Sequence, residues 1–317
     1  MNIGLPKQTR RFRAALAALA GPAPPAFGVA VSGGPDSLAL LLLAAAAFPG
    51  QFEAATVDHR LRPEGANEAA FVAGICAERG IPHATLTGEA VTGNVQSGAR
   101  ALRYRLLGEW ARARGLAFVL TAHHQDDQAE TLLMRLQRGA GLAGLAGIRP
   151  RAALDGLAVL RPLLGWRRAE LAEMVAKAGI VPVDDPSNRD ERYDRARLRG
   201  QLAEAPWLDA PALARSAAAL GEAEEALDWT VEQLIAERTE DAAGGLTFDA
   251  AGLPAELRRR ALVRLLGLLV PADPPRGEAV QRLLATLDAG EVATLAGVKC
   301  QGGAVWRLSP APPRQPN

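Results

Sequence analysis

Two polar clusters in this 317-residue sequence carry side chains suited to chemistry. The first is the run Ser32-Gly33-Gly34-Pro35-Asp36-Ser37, which stands between two apolar segments. Glycines let the backbone approach an anion closely, and the amides at a helix N-terminus attract it. Because Asp36 would repel a bare phosphate, its presence indicates a Mg²⁺ ion that bridges carboxylate and phosphate. The alternative is an ordinary glycine turn in which Asp36 or Ser37 caps a helix.

The second cluster lies between residues 121 and 131 and contains His123, Asp126, Asp127 and Glu130. In a helix, Asp126 and Glu130 are four positions apart and Asp127 and Glu130 three, so these carboxylates share one helix end. They would bind a metal, orient an ammonium group or act as a general base, and Asp127 would join Asp36 as a metal ligand. Two alternatives stay open: a plain polar helix start, and a metal-dependent phosphohydrolase that uses His123, His124 and the two aspartates.

Arginines form two further groups. Arg100 and Arg103 are three positions apart, next to Tyr104, and can face one ligand from a helix. The second group is Arg195, Arg197 and Arg199, whose guanidinium groups suit phosphate. The alternative for both groups is a solvated helix face. Residues 95–205 carry a net charge of +5 and residues 206–256 a net charge of −9, and this asymmetry is a hint of a polyanionic partner.

Strands and helices alternate along the first half of the sequence, which predicts an α/β fold with a doubly wound parallel sheet. The ligand site should then lie beyond the carboxyl ends of the strands. The predicted strands cover 26–31, 52–57, 83–87 and 116–120, and the predicted helices cover 38–47, 68–79, 99–114, 128–138 and 167–178.

A change of charge near Pro206 predicts two domains, a catalytic domain at residues 1–205 and a smaller one at residues 206–317. The smaller domain is expected to be mainly α-helical, with helices at 210–238 and 255–269 and a short strand at 304–308. The two cysteines, Cys76 and Cys300, form no CxxC pair, which argues against a zinc or iron–sulfur site and suits the cytoplasm. The longest apolar run has 11 residues, too few to span a membrane.

Taken in order, these motifs resemble the tRNA(Ile)-lysidine synthases. Residues 32–37 look like the SGGxDS loop of the N-type ATP pyrophosphatases, or PP-loop superfamily, which is shared by several synthetases. The narrower match covers roughly residues 27–200. It rests on the runs Val57-Asp58-His59-Arg60-Leu61-Arg62, Arg135-Leu136-Gln137-Arg138-Gly139, Arg161-Pro162-Leu163 and Asp185-Pro186-Ser187-Asn188, together with residues 121–131. The family usually has an asparagine where this sequence has Ala196, and residues 206–317 resemble it weakly, without a full second tRNA-binding module.

The resemblance implies a ligase that uses ATP and Mg²⁺ to join free lysine to the wobble cytidine of a tRNA(Ile) with a CAU anticodon. It implies that residues 32–37 hold ATP, with Asp36 on the metal, that Asp127 and Glu130 bind or deprotonate lysine, and that Asp126 is a second metal or lysine contact. His123, Arg100 and Arg103 would stabilise charge on the activated base, and Arg195, Arg197 and Arg199 would meet the tRNA backbone. A homodimer is compatible with the sequence but is not indicated by it.

Three other functions compete with this one. A 2-thiocytidine enzyme of the same superfamily would need cysteines for sulfur or a cluster, and this sequence has no CxxC. A metal-dependent phosphohydrolase would need neither ATP nor tRNA. A non-catalytic adenine-nucleotide sensor could share the fold, because fold does not determine function.

Overall fold

The computed structural model describes residues 6–60, 64–88, 95–183, 194–205, 207–271, 275 and 277–312. The chain divides into two compact units, Met1–Gly221 and Glu222–Asn317. The division falls inside one long helix, Ala210–Arg238. It lies further along the chain than the predicted boundary between residues 205 and 206. The predicted roles, catalysis for the first domain and tRNA binding or structural support for the second, stay predictions.

The first unit is built on a six-stranded sheet with the order β3-β2-β1-β4-β6-β5. All neighbouring strands run parallel except β5, which pairs antiparallel with β6 at one edge. This confirms the predicted parallel sheet. The strands are β1 (Phe27–Ala30), β2 (Phe52–Asp58), β3 (His83–Thr87), β4 (Val119–Leu120), β5 (Arg151–Leu154) and β6 (Leu157–Leu160).

Helices connect and cover these strands. The most apolar of them, Pro35–Ala47, is hydrophobic almost all round, and such a helix is stable only when it is buried. It packs against the sheet and two other helices, including Pro6–Ala20, whose Phe12 and Leu16 enter the same core. The helices of this unit are α1 (Pro6–Ala20), α2 (Pro35–Ala47), α3 (Glu64–Glu78), α4 (Val95–Ala113), α5 (Gln125–Gln137), α6 (Leu142–Leu145), α7 (Arg168–Lys177), α8 (Asp194–Ala203) and α9 (Ala210–Arg238), which continues into the second unit.

The hairpin of β5 and β6 was not predicted, although its turn is visible in the sequence. Asp155 and Gly156 have φ values of 52° and 72°, the left-handed conformation that a two-residue hairpin turn requires at both positions. Apolar residues flank this Asp-Gly pair on each side, which is a strong local hairpin signal.

The second unit corrects the prediction of a mainly helical domain. It contains a five-stranded antiparallel sheet with the order β7-β8-β11-β10-β9, covered on its buried face by α10 and α11. Its strands have only four to six residues, whereas the helices of the same region have 12 to 29, so the helical pattern dominated the prediction. The elements are β7 (Thr239–Ala242), β8 (Gly245–Asp249), α10 (Ala255–Leu269), α11 (Gly277–Asp288), β9 (Val292–Leu295), β10 (Val298–Gln301) and β11 (Val305–Pro310).

Candidate active site

The candidate site lies where β1 and β4 are neighbours in the sheet. From β1 the chain proceeds through β2 and β3 on one side, whereas α4 brings it back to β4 on the other. The connections after β1 and β4 therefore leave in opposite directions and open a crevice at the carboxyl edge. In open α/β sheets ligands bind at this kind of switch point. Both polar clusters found in the sequence follow these two strands.

The glycine loop after β1 has a backbone that only glycine adopts easily. Gly33 has a φ of 87°, and its carbonyl accepts a hydrogen bond of 3.0 Å from the Val183 amide. The Ser32 amide donates to Ser37 Oγ at 3.1 Å, and the Ser37 hydroxyl donates to the Gly34 carbonyl at 3.0 Å. The loop is thus held in one shape while it leads into the N-terminus of α2. This arrangement suits an anion such as a phosphate.

His124 joins the two clusters. Its Nε2 atom lies 3.4 Å from Oδ2 of Asp36 on α2 and 3.5 Å from Oδ2 of Asp127 on α5. Burial lowers the pKa of His124, but the carboxylates of Asp36, Asp127 and Asp126 outweigh it and raise the pKa above its usual range. The Nδ1 atom also accepts a hydrogen bond of 3.3 Å from the Asp127 amide, while Asp127 Oδ2 accepts from the His124 amide at 3.1 Å, so the two residues form a reciprocal cap at the start of α5.

Asp36 and Asp127 fit the predicted Mg²⁺ site. Both carboxylates approach the same His124 nitrogen, and Oδ1 of Asp36 is buried with no hydrogen-bond partner among the described residues. Within those residues no three His, Cys, Asp or Glu side chains are arranged to hold a metal ion by themselves. That suits Mg²⁺, which takes one or two carboxylates and completes its shell with phosphate and water.

His123 differs from its neighbour. Its Nδ1 atom lies 3.0 Å from the Thr121 hydroxyl oxygen. Burial lowers the pKa of His123 to about 4, helped by the charges of Arg161, Arg100 and Arg195 and opposed by Asp127. His123 is therefore neutral near pH 7. When Thr121 donates to Nδ1, the proton of the neutral ring sits on Nε2, which is then a hydrogen-bond donor.

Asp126 contacts the start of α7, unlike Asp127 and Glu130, the other two acids of α5. Its Oδ2 atom accepts a hydrogen bond of 2.8 Å from the Arg168 amide, and its Oδ1 atom lies 3.2 Å from the Arg167 guanidinium. Asp126 therefore ties the start of α5 to the start of α7. The three carboxylates do not converge as one group.

Glu130 is paired with the arginines of α8. Arg199 donates from Nε to Oε1 of Glu130 at 2.5 Å, and Arg195 Nε lies 3.0 Å from Oε2. Arg199 Nη2 also lies 3.5 Å from Asp127 Oδ1. Burial raises the pKa of Asp127, but His124, Arg195 and His123 lower it more, so the net shift is downward. The predicted lysine-binding and tRNA-binding residues are thus in direct contact.

The remaining predicted arginines have different contacts. Arg197 is exposed and pairs with Asp194 at 2.6 Å. The guanidinium of Arg100 lies 5.0 Å from the centre of the Tyr104 ring, on the side of His123. Arg103 instead approaches His59, which follows β2, with 3.5 Å between Nη2 and Nε2. Burial lowers the pKa of Arg103, and the nearby charge of Arg100 lowers it further, so the two residues have different contacts but remain electrostatic neighbours.

Two residues near the site were not singled out in the sequence. Gln128 is buried on α5 and forms two hydrogen bonds with the backbone of Ile148, of 2.6 and 2.7 Å. The second residue is Arg149, which directly follows Ile148 in the chain. Its distance from α5 in the sequence matches no helix or strand spacing, so no sequence pattern indicated it. The runs 61–62 and 185–188, which contributed to the family resemblance, lie outside the described residues.

Comparison with known proteins agrees with this geometry. The family model described as "PP-loop domain" matches residues 6–205, which covers the sheet and all the candidate residues of the first unit. The U34-tRNA thiolase NcsA from Methanococcus maripaludis, a [4Fe-4S] protein, has a similar fold, with a TM-score of 0.53 and 18% identity over 68% of this chain and 76% of that chain. The fold and the site therefore define a PP-loop protein.

Curated relatives identify the family within that class. A tRNA(Ile)-lysidine synthase from Novosphingobium aromaticivorans is 51% identical over 90% of this chain and 88% of its own length. The enzyme of the same name from Zymomonas mobilis is 45% identical over 94% of this chain and 92% of its own length. The chain belongs to the tRNA(Ile)-lysidine synthase family. It is an enzyme, a ligase that forms a carbon–nitrogen bond, and the resemblance found in the sequence is confirmed.

These comparisons do not favour the competing functions. The two cysteines are also unsuited to the sulfur chemistry of a 2-thiocytidine enzyme. Cys76 and Cys300 are buried, and burial raises the pKa of each thiol to about 11. Buried thiols of high pKa are poor nucleophiles and poor metal ligands.

No described helix combines the length and the apolar character that a membrane crossing demands.

Proposed function

We propose that this enzyme ligates lysine to C2 of the wobble cytidine in a tRNA(Ile) with a CAU anticodon. The proposal rests chiefly on one observation: the glycine loop after β1 and the acidic start of α5 after β4 meet at the switch point, joined through His124. A nucleotide in the loop and an amine at the acids would therefore lie side by side. The substrate would be a tRNA of the cytoplasm.

The first step is adenylation of the base. The C2 oxygen of cytidine attacks the α-phosphorus of ATP, the bond to the β-phosphate breaks, and pyrophosphate leaves. The loop of Ser32, Gly33, Gly34, Pro35, Asp36 and Ser37 would hold the phosphates through its amides and hydroxyls. Mg²⁺ held by Asp36 and Asp127 would neutralise phosphate charge when it is bound.

The second step is attack by the amine. Lysine's amine attacks C2, and AMP leaves with the former C2 oxygen. The ammonium form cannot attack, so a carboxylate must first bind it and take a proton. Asp127 and Glu130 are the acids to which we assign this role. Neutral His123 would donate a hydrogen bond from Nε2 to negative charge on the activated base or on AMP, beside Arg100.

The tRNA backbone would meet the arginines of α8. Arg197 is exposed and pairs with Asp194 at the surface, where a phosphate could replace that carboxylate. Arg195 and Arg199 would contact phosphates only after their pairing with Glu130 loosens. Arg103, next to His59, lies closer to the end of β2 and would contact the nucleotide or the RNA there.

The test is incorporation of radiolabelled lysine into an isoleucine tRNA transcript with a CAU anticodon. The wild-type enzyme should incorporate label only with ATP, and not when the wobble cytidine is replaced. Asp127→Ala and Glu130→Ala should abolish incorporation while ATP still binds. Glu173→Ala is the control, because Glu173 lies on the exposed side of α7 and pairs with Lys177. Full activity of both site variants would refute the assignment of roles.

A further inference from the structure

Four arginines of the first unit, here called the arginine cluster, lie close enough to influence one another electrostatically: Arg100, Arg135, Arg149 and Arg161. Two of them, Arg100 and Arg161, also act on His123. Arg161 donates from Nη1 to the Arg149 carbonyl at 2.6 Å and also hydrogen-bonds the buried Tyr104, whose ring lies next to Arg100. Arg135 donates from Nη1 to the Gly144 and Gly147 carbonyls at 2.6 and 3.0 Å, two residues before Arg149. The four side chains therefore come from α4, α5, the segment before β5 and the end of β6.

The positive charge of the cluster is not balanced by acids. Among the described residues no carboxylate forms an ion pair with any of the four arginines, and their hydrogen bonds go to carbonyls or to Tyr104. Burial lowers the pKa of Arg135, and the neighbouring charges of Arg149, Arg100 and Arg195 lower it further. Burial also lowers the pKa of Arg161, and the charge of Arg100 lowers it further.

Arg161 is the most deeply placed member. It is 4% exposed, and its Nε atom has no hydrogen-bond partner within the described part of the chain. Like charges brought together out of water oppose folding unless an anion compensates them. Such an arrangement is typical of a binding site rather than of a structural contact.

We propose that the arginine cluster is a subsite for a phosphodiester group of the RNA substrate, next to the nucleotide that enters the crevice. The ligand chemistry is phosphate, which ATP could also supply. The position of the cluster favours RNA, because Arg161 follows β6, two strand spacings or about 10 Å from the glycine loop after β1. The inference rests on the proposed function for the identity of the RNA.

The members of the cluster have different roles. Arg161 is a positioning residue, because it is buried and holds the backbone of Arg149 and the hydroxyl of Tyr104. Arg149 and Arg135 are half-buried and Arg100 is exposed, so these three can reach a ligand. The Arg149 guanidinium donates from Nη1 to the Gly221 carbonyl at 3.0 Å, and no described carboxylate pairs with it, so its charge is free to act on a phosphate.

The experiment compares Arg149→Gln with the wild-type enzyme at a series of salt concentrations. Binding is measured for the CAU-containing tRNA, for an unrelated single-stranded RNA and, by equilibrium dialysis, for ATP. We expect Arg149→Gln to weaken the binding of both RNAs about tenfold. It should also reduce the magnitude of the slope of log K against log salt by about 0.7–0.9, the value for one phosphate contact. ATP affinity should not change, and Arg149→Lys should restore the slope.

Arg112→Gln is the matched control. Arg112 lies in the last turn of α4, which leads into the amino end of β4, away from the crevice, and its removal should change neither RNA nor ATP binding. Thermal unfolding of each variant confirms that it is folded. A loss of ATP affinity with unchanged RNA affinity would assign the cluster to the nucleotide.

Unchanged binding of both ligands, or a wild-type enzyme that binds no RNA, would overturn the subsite altogether. The proposed function fails independently if the wild-type enzyme forms no lysidine although it binds RNA with the expected salt dependence.

Discussion

The Nε atom of Arg199 lies 2.5 Å from Oε1 of Glu130, and this pair links α8 to the acidic face of α5. Glu130 is 3% exposed and is also approached by Arg195, so two cations neutralise one buried carboxylate. An ammonium group that binds Glu130 must therefore compete with them. If lysine binds at Glu130, as we propose, its entry would be coupled to release of the α8 arginines, which would then be free for RNA phosphates.

Replacing Arg199 should destabilise the enzyme through Glu130. Arg199→Gln leaves the buried carboxylate with Arg195 alone, and we expect a loss of about 1–3 kcal/mol, below the full cost of an unpaired buried charge because Arg195 remains. Urea unfolding measures the change. Glu130→Gln removes the acid, so the double variant should lose less than the sum of the two single losses. Strict additivity would show that the pair contributes no coupling energy.

Asp126 and Asp127 are adjacent in the sequence but should respond differently to amidation. Asp127→Asn should abolish lysine transfer, because this acid faces His124, Asp36 and the candidate metal position. Asp126→Asn should lower the melting temperature by several degrees through weaker contacts to Arg167 and the Arg168 amide, and should keep measurable activity. Activity and thermal unfolding, recorded on both variants, separate the two roles. Equal loss of activity would contradict the separation.

The chemistry of the site was visible in the sequence because it lies in contiguous runs. Ser32 to Ser37 and His123 to Glu130 each follow a strand, and parallel strands bring their carboxyl ends to one edge. The sheet order that makes these two runs neighbours is set by the return through α4, and no local pattern reveals it. The direction of each acid was also hidden, since Asp126 turns to α7 only because the Arg168 amide is nearby.

Long-range pairings were the part that sequence patterns did not reveal. Arg195 and Arg199 have the composition of a solvated or RNA-binding face, and nothing local indicates that they pair with Glu130, more than 60 residues earlier. The sheet of the second unit was missed for a different reason. Its strands are short, and their pairing partners, such as Trp306 and Phe248, are brought together only by tertiary packing.

The glycine loop offers a direct test of backbone conformation. Gly33 has a φ of 87°, and a Cβ atom there would lie 3.1 Å from Val183 Cγ2, so Gly33→Ala is both strained and crowded. We expect a loss of about 1–2 kcal/mol of stability and weaker ATP binding. Gly34→Ala is the control, because the φ of Gly34 is −75° and the nearest atom to its added Cβ is 3.8 Å away. Similar ATP affinity in both variants would argue against a specific loop shape.

His123 should make stability depend on pH at the acidic end. Its pKa falls from 6.5 in the unfolded chain to about 4 in the folded enzyme, chiefly through burial. Between these values the unfolded chain binds more protons, so the stability contributed by neutral His123 is complete above pH 6.5 and is lost as the pH falls towards 4. From pH 7 to pH 4.5 the wild-type enzyme should lose about 1–3 kcal/mol more than His123→Gln, as measured by urea unfolding. Gln137→Ala, an exposed and non-titrating change at the end of α5, should keep the wild-type pH dependence. If His123→Gln and the wild-type enzyme lose the same stability over this range, the imidazole is not held neutral by burial.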